Sequence, residues 1–239
     1  MDVINYLVKS KNINIVQNTQ MFNFSLDSIL LPNFVTLNKN IKKILDIGCG
    51  NAPIPLILST KTQADIIGIE IQKEVFELAD KSVKINNLQD RIKIINDDVK
   101  EYAKQFNNEV FDVITCNPPF FKVNEKSNFK KDIYKTIARH EIFLTLSDVL
   151  KVSRKLLKNN GVIAMVHRPD RLVEILEEMR KNNIEPKRIQ FVYPKRGLSA
   201  NILLIEGRKN GNPGLKILPP IYTHNDDGEY TKEIKIFFN

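Results

Sequence analysis

The chain has 239 residues, 42% of them hydrophobic, which is enough for one α/β domain with a sizeable core and argues against extensive disorder. Lys and Arg outnumber Asp and Glu by 36 to 28, and the formal net charge of +8 favours a polyanionic partner, because clustered cations release counterions from phosphates. No apolar stretch approaches the roughly 20 residues that span a bilayer, and the first residues lack a signal-peptide pattern, so we expect a cytoplasmic protein without membrane contact.

Two cysteines, Cys49 and Cys116, stand far apart with no Cys-x-x-Cys pairing. The sequence therefore predicts no disulfide and no metal site, and both thiols are expected to be small buried hydrophobes. His167 and His224 have no neighbour at metal-ligand spacing, and we assign them to structural or surface positions.

The two ends of the chain are predicted to be additions to one domain. Residues 1–40 form an N-terminal extension with mixed hairpin and helix signals around residues 18–38. Residues 210–239 contain several glycine and proline residues, and we expect this tail to pack on the same domain. The domain itself is predicted over residues 41–209.

From residue 41 onward, short β-rich runs alternate with longer amphipathic stretches, which predicts a mostly parallel seven-stranded sheet with helices on both faces. The predicted strands are 43–47, 65–69, 92–96, 111–116, 162–166, 188–193 and 202–206. The predicted helices are 53–59, 73–87, 143–157 and 169–181. Pro169 suits the first turn of the last helix, and Asn159-Asn160-Gly161 is a helix stop signal.

The first strand-to-helix turn of this sheet contains Gly48 and Gly50, and open α/β sheets bind ligands outside the carboxyl ends of their strands. The two glycines allow positive φ and a close approach of the backbone to a ligand. Asp46 can fix the turn or accept from the ligand's amine, and Glu70, at the end of the next strand, can accept both hydroxyls of a ribose. These residues alone fit either a nicotinamide dinucleotide or S-adenosylmethionine, but Pro53 at the third glycine position of a dinucleotide fingerprint disfavours the former.

A pair of carboxylates, Asp97 and Asp98, follows the third strand. A carboxylate there can accept from the exocyclic amine of a bound adenine, and we favour Asp98 because it directly precedes the next apolar position. The alternative is a helix N-cap, and both roles are compatible.

The tetrapeptide Asn117-Pro118-Pro119-Phe120, here called the N-P-P-F turn, follows the apolar run 111–116. The prolines stiffen it and remove two backbone donors, so the Asn117 side-chain carbonyl and the Pro118 main-chain carbonyl can accept from an –NH₂ group. Phe120 offers a ring on which a base can stack. The alternative is a proline-terminated strand that runs into a surface loop.

The segment 122–139 combines cations with aromatic residues, a mixture that suits a nucleic-acid surface. Its aromatic members are Phe129 and Tyr134, and its acidic members are Glu125 and Asp132. Its cations are Lys122, Lys126, Lys130, Lys131, Lys135 and Arg139. A merely solvated loop and helix face is the alternative.

Together these motifs resemble the class I S-adenosylmethionine-dependent methyltransferases, and the N-P-P-F turn resembles those that methylate exocyclic or amide nitrogens. Segments 22–31, 138–141, 167–171 and 206–211 resemble the bacterial tRNA1(Val) adenine-37 N6-methyltransferase family, over most of the chain from about Phe22 to Glu233. One departure is Ala52, which stands where that family usually has a third glycine. We expect it to be tolerated, with a slightly repositioned loop.

The resemblance implies a Rossmann-like fold, S-adenosylmethionine as cofactor, tRNA as partner, no metal and a monomer. The expected reaction is direct in-line methyl transfer to adenine N6, with catalysis assigned to Asn117, Pro118 and Phe120. The cofactor-binding candidates are Asp27, Ser28, Asp46, Gly48, Gly50, Glu70, Asp98 and Asn117. The substrate-binding candidates are Phe121, Lys122, Lys126, Lys130, Lys131, Arg139 and His140.

Several of these assignments have alternatives. Asp27 and Ser28 are candidates for closing over the cofactor, but they equally suit caps of a helix that begins near Ile29. Phe121 is expected beneath Phe120 or against the cofactor, and His140 equally suits a helix cap. For the whole chain, the alternatives are N-methylation of a ribosomal RNA base, DNA adenine or a protein glutamine, a nicotinamide-dependent oxidoreductase, and a catalytically silent RNA-binding module.

Overall fold

A computed structural model of the chain describes residues 1–19, 21, 24–120 and 143–238. The strands are β1 (Asp2–Val8), β2 (Ile13–Asn18), β3 (Lys43–Ile47), β4 (Asp65–Glu70), β5 (Ile92–Asn96), β6 (Phe111–Cys116), β7 (Leu157–His167), β8 (Ile184–Tyr193), β9 (Ile202–Lys209), β10 (Lys216–Ile217) and β11 (Ile221–Tyr222). The helices are α1 (Leu26–Phe34), α2 (Pro53–Ser59), α3 (Lys73–Ile85), α4 (Val99–Lys104), α5 (Leu146–Leu156), α6 (Leu172–Lys181) and α7 (Lys232–Phe238). Within these described ranges, no helix is both long and apolar enough to cross a membrane.

The large sheet has the strand order β10-β8-β9-β7-β6-β3-β4-β5, and β11 also pairs with β8. Its neighbours are parallel except where β9 runs antiparallel to β7 and β8. The predicted mostly parallel sheet with seven core strands is therefore confirmed, and the tail adds two short strands. From β3 the chain proceeds to β4 and β5 on one side, whereas β6 and β7 lie on the other. The order thus reverses between β3 and β6, the point at which open α/β sheets bind ligands.

Both faces of the sheet are buried, as the continuous apolar strands require. Successive residues alternate between two cores: Ile44 packs on the side of α1, α2 and α3, whereas Leu45 packs on the side of α4, α5 and α6. Cys49 and Cys116 are both buried and free, as expected.

Helix boundaries differ from the predictions where polar residues determine the ends. The predicted helix 143–157 begins at Leu146, because Thr145 and Asp148 form a capping box in which each side chain accepts from the other's backbone N–H at 3.1 Å. It ends at Leu156, before the predicted stop at Asn159-Asn160-Gly161, which instead lies in an irregular part of β7 with Asn160 at φ 62°.

Two further helices are shorter than predicted. The helix expected at 73–87 ends at Ile85. The one expected at 169–181 begins as a 3-10 turn, Pro169–Arg171, and becomes α-helical only at Leu172. Strands β7, β8 and β9 each extend beyond their predicted ranges, because their pairing with neighbouring strands continues past the apolar residues on which the predictions were based.

The N-terminal residues are tied to the sheet by buried polar contacts. Strands β1 and β2 form an antiparallel pair, and the Val16 N–H donates to Ser82 Oγ of α3 at 2.9 Å. After α1, Thr36 donates its N–H and hydroxyl to the buried Glu206 carboxylate at 2.7 and 2.9 Å, and Arg188 joins this cluster. These contacts tie the segments that precede and follow α1 to α3 and β9.

Candidate active site

A cavity of about 350 Å³ lies at the carboxyl ends of the central strands, where the strand order reverses. The turn after β3, the end of β4, the start of α1 and the N-P-P-F turn all contribute to its wall. Its lining is Phe24, Ser25, Asp27, Ser28, Ile47, Gly48, Cys49, Gly50, Asn51, Pro53, Ile54, Glu70, Ile71, Gln72, Val75, Asn117, Pro118, Pro119, Phe120, Phe143 and Leu144. Most candidates for cofactor binding and all three for catalysis therefore meet in one cavity, whereas Asp46 and Asp98 are outside its lining.

The glycine turn takes the left-handed backbone that its sequence predicts. Gly48 has φ 66° and Gly50 has φ 56°, and a Cβ at either position would meet no atom within 4 Å. The glycines are thus required by backbone conformation and leave space for a ligand. Beneath the turn, a Cβ at Gly68 would come within 2.9 Å of Cys49 Sγ, so this third glycine lets β4 and the turn pack closely.

Ala52 completes the turn in a glycine-like conformation. It is fully buried at φ 70° and ψ 33°, directly before α2. A left-handed alanine costs roughly 1 to 2 kcal/mol, and the turn's hydrogen bond from the Ala52 N–H to the Cys49 carbonyl at 2.9 Å helps to hold it. The alanine therefore retains the geometry for which glycine is preferred.

Glu70 links the end of β4 to the glycine turn. Its Oε2 accepts from the Gly50 N–H at 3.0 Å and its Oε1 from the Gln72 N–H at 2.9 Å. Burial raises the pKa of this carboxyl group, and the backbone donors oppose that rise. Glu70 also lines the cavity, so the carboxylate that orders the turn is available to accept from a ligand.

Asp46 is fully buried behind the glycine turn. Its Oδ1 accepts from Thr115 Oγ1 at 2.6 Å, and its Oδ2 has no hydrogen-bond partner among the residues that the structure describes. Burial raises the pKa of Asp46 to about 8, and the negative charge of Glu70 adds to the rise. Asp46 therefore carries a proton near neutral pH, and its contact with a ligand stays a prediction.

Asp98 caps α4. Its Oδ1 accepts from the Lys100 N–H at 2.8 Å, and its Oδ2 lies 3.4 Å from Lys100 Nζ. The Asp97 side chain accepts from the Asp98 N–H at 2.8 Å. The N-cap alternative is confirmed for Asp98, and the contact with adenine stays a prediction.

The N-P-P-F turn is attached to α1 through its first residue. Asn117 Nδ2 donates to Ser28 Oγ at 3.2 Å, which leaves the Oδ1 acceptor for a ligand in the cavity. Ser28 is buried on α1, whose N-cap position is Ser25, so neither Asp27 nor Ser28 caps this helix. Asp27 instead lines the cavity, where burial raises its pKa and Ser25 Oγ donates to it at 2.9 Å.

Phe120, at the other end of the turn, packs on His167, for which the sequence predicted a structural or surface position but no contact with the turn. The rings of Phe120 and His167 lie 5.4 Å apart, tilted by 46°, and His167 is completely buried. His167 is thus structural rather than at the surface, and its position in the motif 167–171 was the only available signal. Phe24, Phe143 and Leu144 also line the cavity, but none of the three was among the site residues predicted from the sequence.

The predicted RNA-binding residues lie outside the described part of the chain. They are Phe121, Lys122, Lys126, Lys130, Lys131, Arg139 and His140. Their roles stay predictions from the sequence.

Comparisons with known proteins identify relatives and a family for this chain. The tRNA1(Val) (adenine(37)-N6)-methyltransferase of Shewanella woodyi is 29% identical over 163 residues, covering 67% of this chain and 65% of that protein. The Flavobacterium psychrophilum protein of the same name is 24% identical over 227 residues, covering 93% of both.

Solved structures show the same fold at low identity. A predicted O-methyltransferase from Agrobacterium tumefaciens is 18% identical with a TM-score of 0.69, covering 89% of this chain and 95% of that one. A geranyl diphosphate methyltransferase in complex with SAM is 12% identical with a TM-score of 0.56, covering 76% and 84%. A family model described as a methyltransferase domain matches residues 38–210. The chain therefore belongs to this methyltransferase-domain family.

Proposed function

We propose that this protein uses S-adenosylmethionine to methylate N6 of an adenine in tRNA, at position 37 of tRNA-Val. One observation carries the proposal: a single cavity has the glycine turn and Glu70 on one wall and the N-P-P-F turn on another. A methyl donor and an amine acceptor can therefore meet within it.

The cavity fits the cofactor in size and chemistry. About 350 Å³ lies within the usual range of ligand pockets, roughly 300 to 1,000 Å³. Glu70 can accept from the two hydroxyls of a ribose, and the absence of a Cβ at Gly48 and Gly50 permits close approach of the backbone. When bound, S-adenosylmethionine supplies a methyl group on a sulfonium, which needs no covalent intermediate with the protein.

Asn117 and Pro118 hold the acceptor amine. Adenine N6 is a poor nucleophile because its lone pair is delocalised into the ring. Hydrogen bonds from its two N–H groups to Asn117 Oδ1 and the Pro118 carbonyl favour a more tetrahedral nitrogen, and one N6 proton is lost to solvent once the nitrogen–methyl bond has formed. Because Ser28 engages the amide nitrogen, the Asn117 carbonyl dipole is already oriented to stabilise positive charge that develops on N6.

The choice of tRNA rests on the relatives' names and on charge. The relatives described above are named as tRNA adenine-37 N6-methyltransferases, and the net charge of +8 suits a polyanionic substrate. Membership of a methyltransferase family disfavours the oxidoreductase alternative. A tRNA substrate also implies a cytoplasmic location.

The direct test is incubation of the purified protein with methyl-labelled S-adenosylmethionine and total tRNA, followed by nucleoside analysis. We expect labelled N6-methyladenosine, and fragment mapping should place it at adenine 37 of tRNA-Val. Absence of label from tRNA, or label in N2-methylguanosine, would contradict the proposal. The Asn117→Ala variant serves as the negative control that measures background labelling.

A further inference from the structure

The N-P-P-F turn has few main-chain hydrogen-bond donors with which to stabilise its own conformation. Pro118 and Pro119 have no backbone N–H, so two of its four residues donate no main-chain hydrogen bond. Its first residue is fixed by the contact between Asn117 and Ser28. Its last residue, Phe120, is contacted by the last residue of β7 and by the segment that follows this strand.

Arg171 contacts the main chain at Phe120. Its Nη1 donates to the Phe120 carbonyl at 3.4 Å, a long hydrogen bond. The guanidinium is itself held by a two-pronged ion pair, with Nε donating to Glu174 Oε2 at 3.0 Å and Nη2 to Glu174 Oε1 at 2.7 Å. Only 11% of the Arg171 side chain is exposed, so this pair has a defined geometry rather than that of a mobile surface bridge.

His167 supports the ring of the same residue. Its Nδ1 accepts from the Arg168 N–H at 2.8 Å, and its Nε2 lies 3.5 Å from Arg171 Nη1, so both ring nitrogens have a neighbour that restrains the ring. Burial and the charge of Arg171 lower the pKa of His167 to about 4, so the ring is neutral under physiological conditions. The Phe120 ring thus packs on an uncharged aromatic surface.

We propose that His167 and Arg171 are positioning residues that act through Phe120, holding its ring and carbonyl where the target base stacks. This rests on the proposed function, which gives Phe120 that stacking role. His167 supplies the surface behind the ring, Arg171 fixes the main chain, and Glu174 holds Arg171. Neither His167 nor Arg171 contacts the reacting atoms.

The kinetic test compares Arg171→Gln with Arg180→Gln. Both variants replace an arginine that is paired with a glutamate. Arg180, which pairs with Glu185, lies at the C-terminal end of α6, whereas Arg171 directly precedes this helix. We expect Arg171→Gln to lower kcat for tRNA methylation about tenfold, with the Kd for S-adenosylmethionine changed less than about twofold, because one hydrogen bond of a charged group to the turn is lost. Glu174→Gln, at a more exposed position, should show a smaller loss of the same kind.

The proposal is overturned if Arg171→Gln and Glu174→Gln both keep the kcat of Arg180→Gln. It is also overturned if cofactor affinity falls in proportion to kcat, since that outcome indicates general damage to the fold. A ring-for-ring replacement tests the histidine: His167→Phe should restore most of the kcat that His167→Ala loses. Equal kcat in these two variants contradicts the role of the ring.

A second measurement needs no substrate. The chain contains no Trp, so Phe120→Trp introduces a single tryptophan at the turn, whose emission can be excited selectively over that of the six tyrosines. In this background, Arg171→Gln should lower emission anisotropy and increase quenching by acrylamide, whereas Arg180→Gln should leave both unchanged. Identical emission in the two variants overturns the inference. The absence of methylated tRNA with the unmutated protein contradicts the proposed function instead.

Discussion

Asn117 and Ser28, 89 residues apart in the chain, are joined by a hydrogen bond of 3.2 Å from the amide nitrogen to the hydroxyl. Because the amide nitrogen donates to Ser28, the side-chain oxygen of Asn117 remains available to accept a hydrogen bond from a ligand. Ser28 was expected to close over the cofactor, and the structure adds a second role, orientation of the Asn117 side chain.

Ser28→Ala should therefore affect turnover more than cofactor binding. Without the hydroxyl, the Asn117 amide can turn over and present its NH₂ group to the substrate amine, so we expect kcat to fall about tenfold. This corresponds to about 1.4 kcal/mol, near the upper end of the usual net contribution of one hydrogen bond, about 0.5 to 1.5 kcal/mol. Steady-state kinetics with tRNA and calorimetric titration with S-adenosylmethionine check it. A raised Kd for the cofactor with an unchanged kcat would indicate that Ser28 contributes to cofactor binding and does not orient Asn117.

Asn117→Ala should nearly abolish methyl transfer and leave cofactor affinity within a few-fold of that of the unmutated protein. Removal of one preorganised polar group from an active site typically costs 10²- to 10³-fold in kcat. Asn117→Asp is the matched variant, because it retains an acceptor oxygen of the same reach but cannot donate to Ser28 while ionised. A large loss of cofactor affinity in Asn117→Ala would remove Asn117 from the role of holding the amine.

Glu70→Gln should weaken S-adenosylmethionine binding by about 10- to 100-fold, which is the loss of hydrogen bonds made by a charged group, roughly 1.5 to 3 kcal/mol. The variant keeps a side-chain oxygen that can accept from the Gly50 N–H. The glycine turn should therefore survive, and the melting temperature serves as the control. Normal cofactor affinity in both Glu70→Gln and Glu70→Ala would exclude the ribose contact.

The sequence predicted those parts of the site that depend on local pattern. Gly48, Gly50 and the N-P-P-F turn each follow an apolar strand, and the chemistry of each is evident within a few residues. The partners across the cavity were not predictable in this way. Ser28 meets Asn117, and His167 meets Phe120, only because the strand order brings β3, β6 and β7 together beneath α1.

Long-range packing also explains the errors in element boundaries. Asn159-Asn160-Gly161 is a good stop signal for a helix, yet β7 starts at Leu157, because Leu157 pairs with Phe111 and the ladder resumes at Val162. Tertiary pairing thus overrides a local preference.

Asp46 should make stability depend on pH. Its pKa rises from an ordinary 3.8 to about 8 on folding, so the folded state binds more protons than the unfolded state between these values. The free energy of unfolding should therefore fall as pH rises from about 4 to about 8, and then level off. His167, whose pKa is lowered to about 4, acts in the opposite direction below its ordinary value of 6.5.

The contribution of Asp46 is isolated by comparison with Asp46→Asn. The asparagine can still accept from Thr115 but cannot ionise, so thermal unfolding of this variant should lose the fall in stability. We expect the melting temperature of the unmutated protein to drop by several degrees more than that of Asp46→Asn between pH 5 and pH 8. Parallel curves would show that Asp46 keeps its charge in the folded protein.

Lys130→Glu combined with Lys131→Glu should weaken tRNA binding and flatten its dependence on salt, if the basic segment 122–139 contacts phosphates as its sequence predicts. Loss of two phosphate contacts should reduce the slope of log Kd against log salt concentration by roughly 1 to 2. Lys151→Glu with Lys155→Glu makes the same change of charge on exposed residues of α5 and is the control. If both double variants weaken binding equally, the effect comes from net charge, and if neither does, the segment is solvated. Only a selective loss at Lys130 and Lys131 supports direct contact with the RNA backbone.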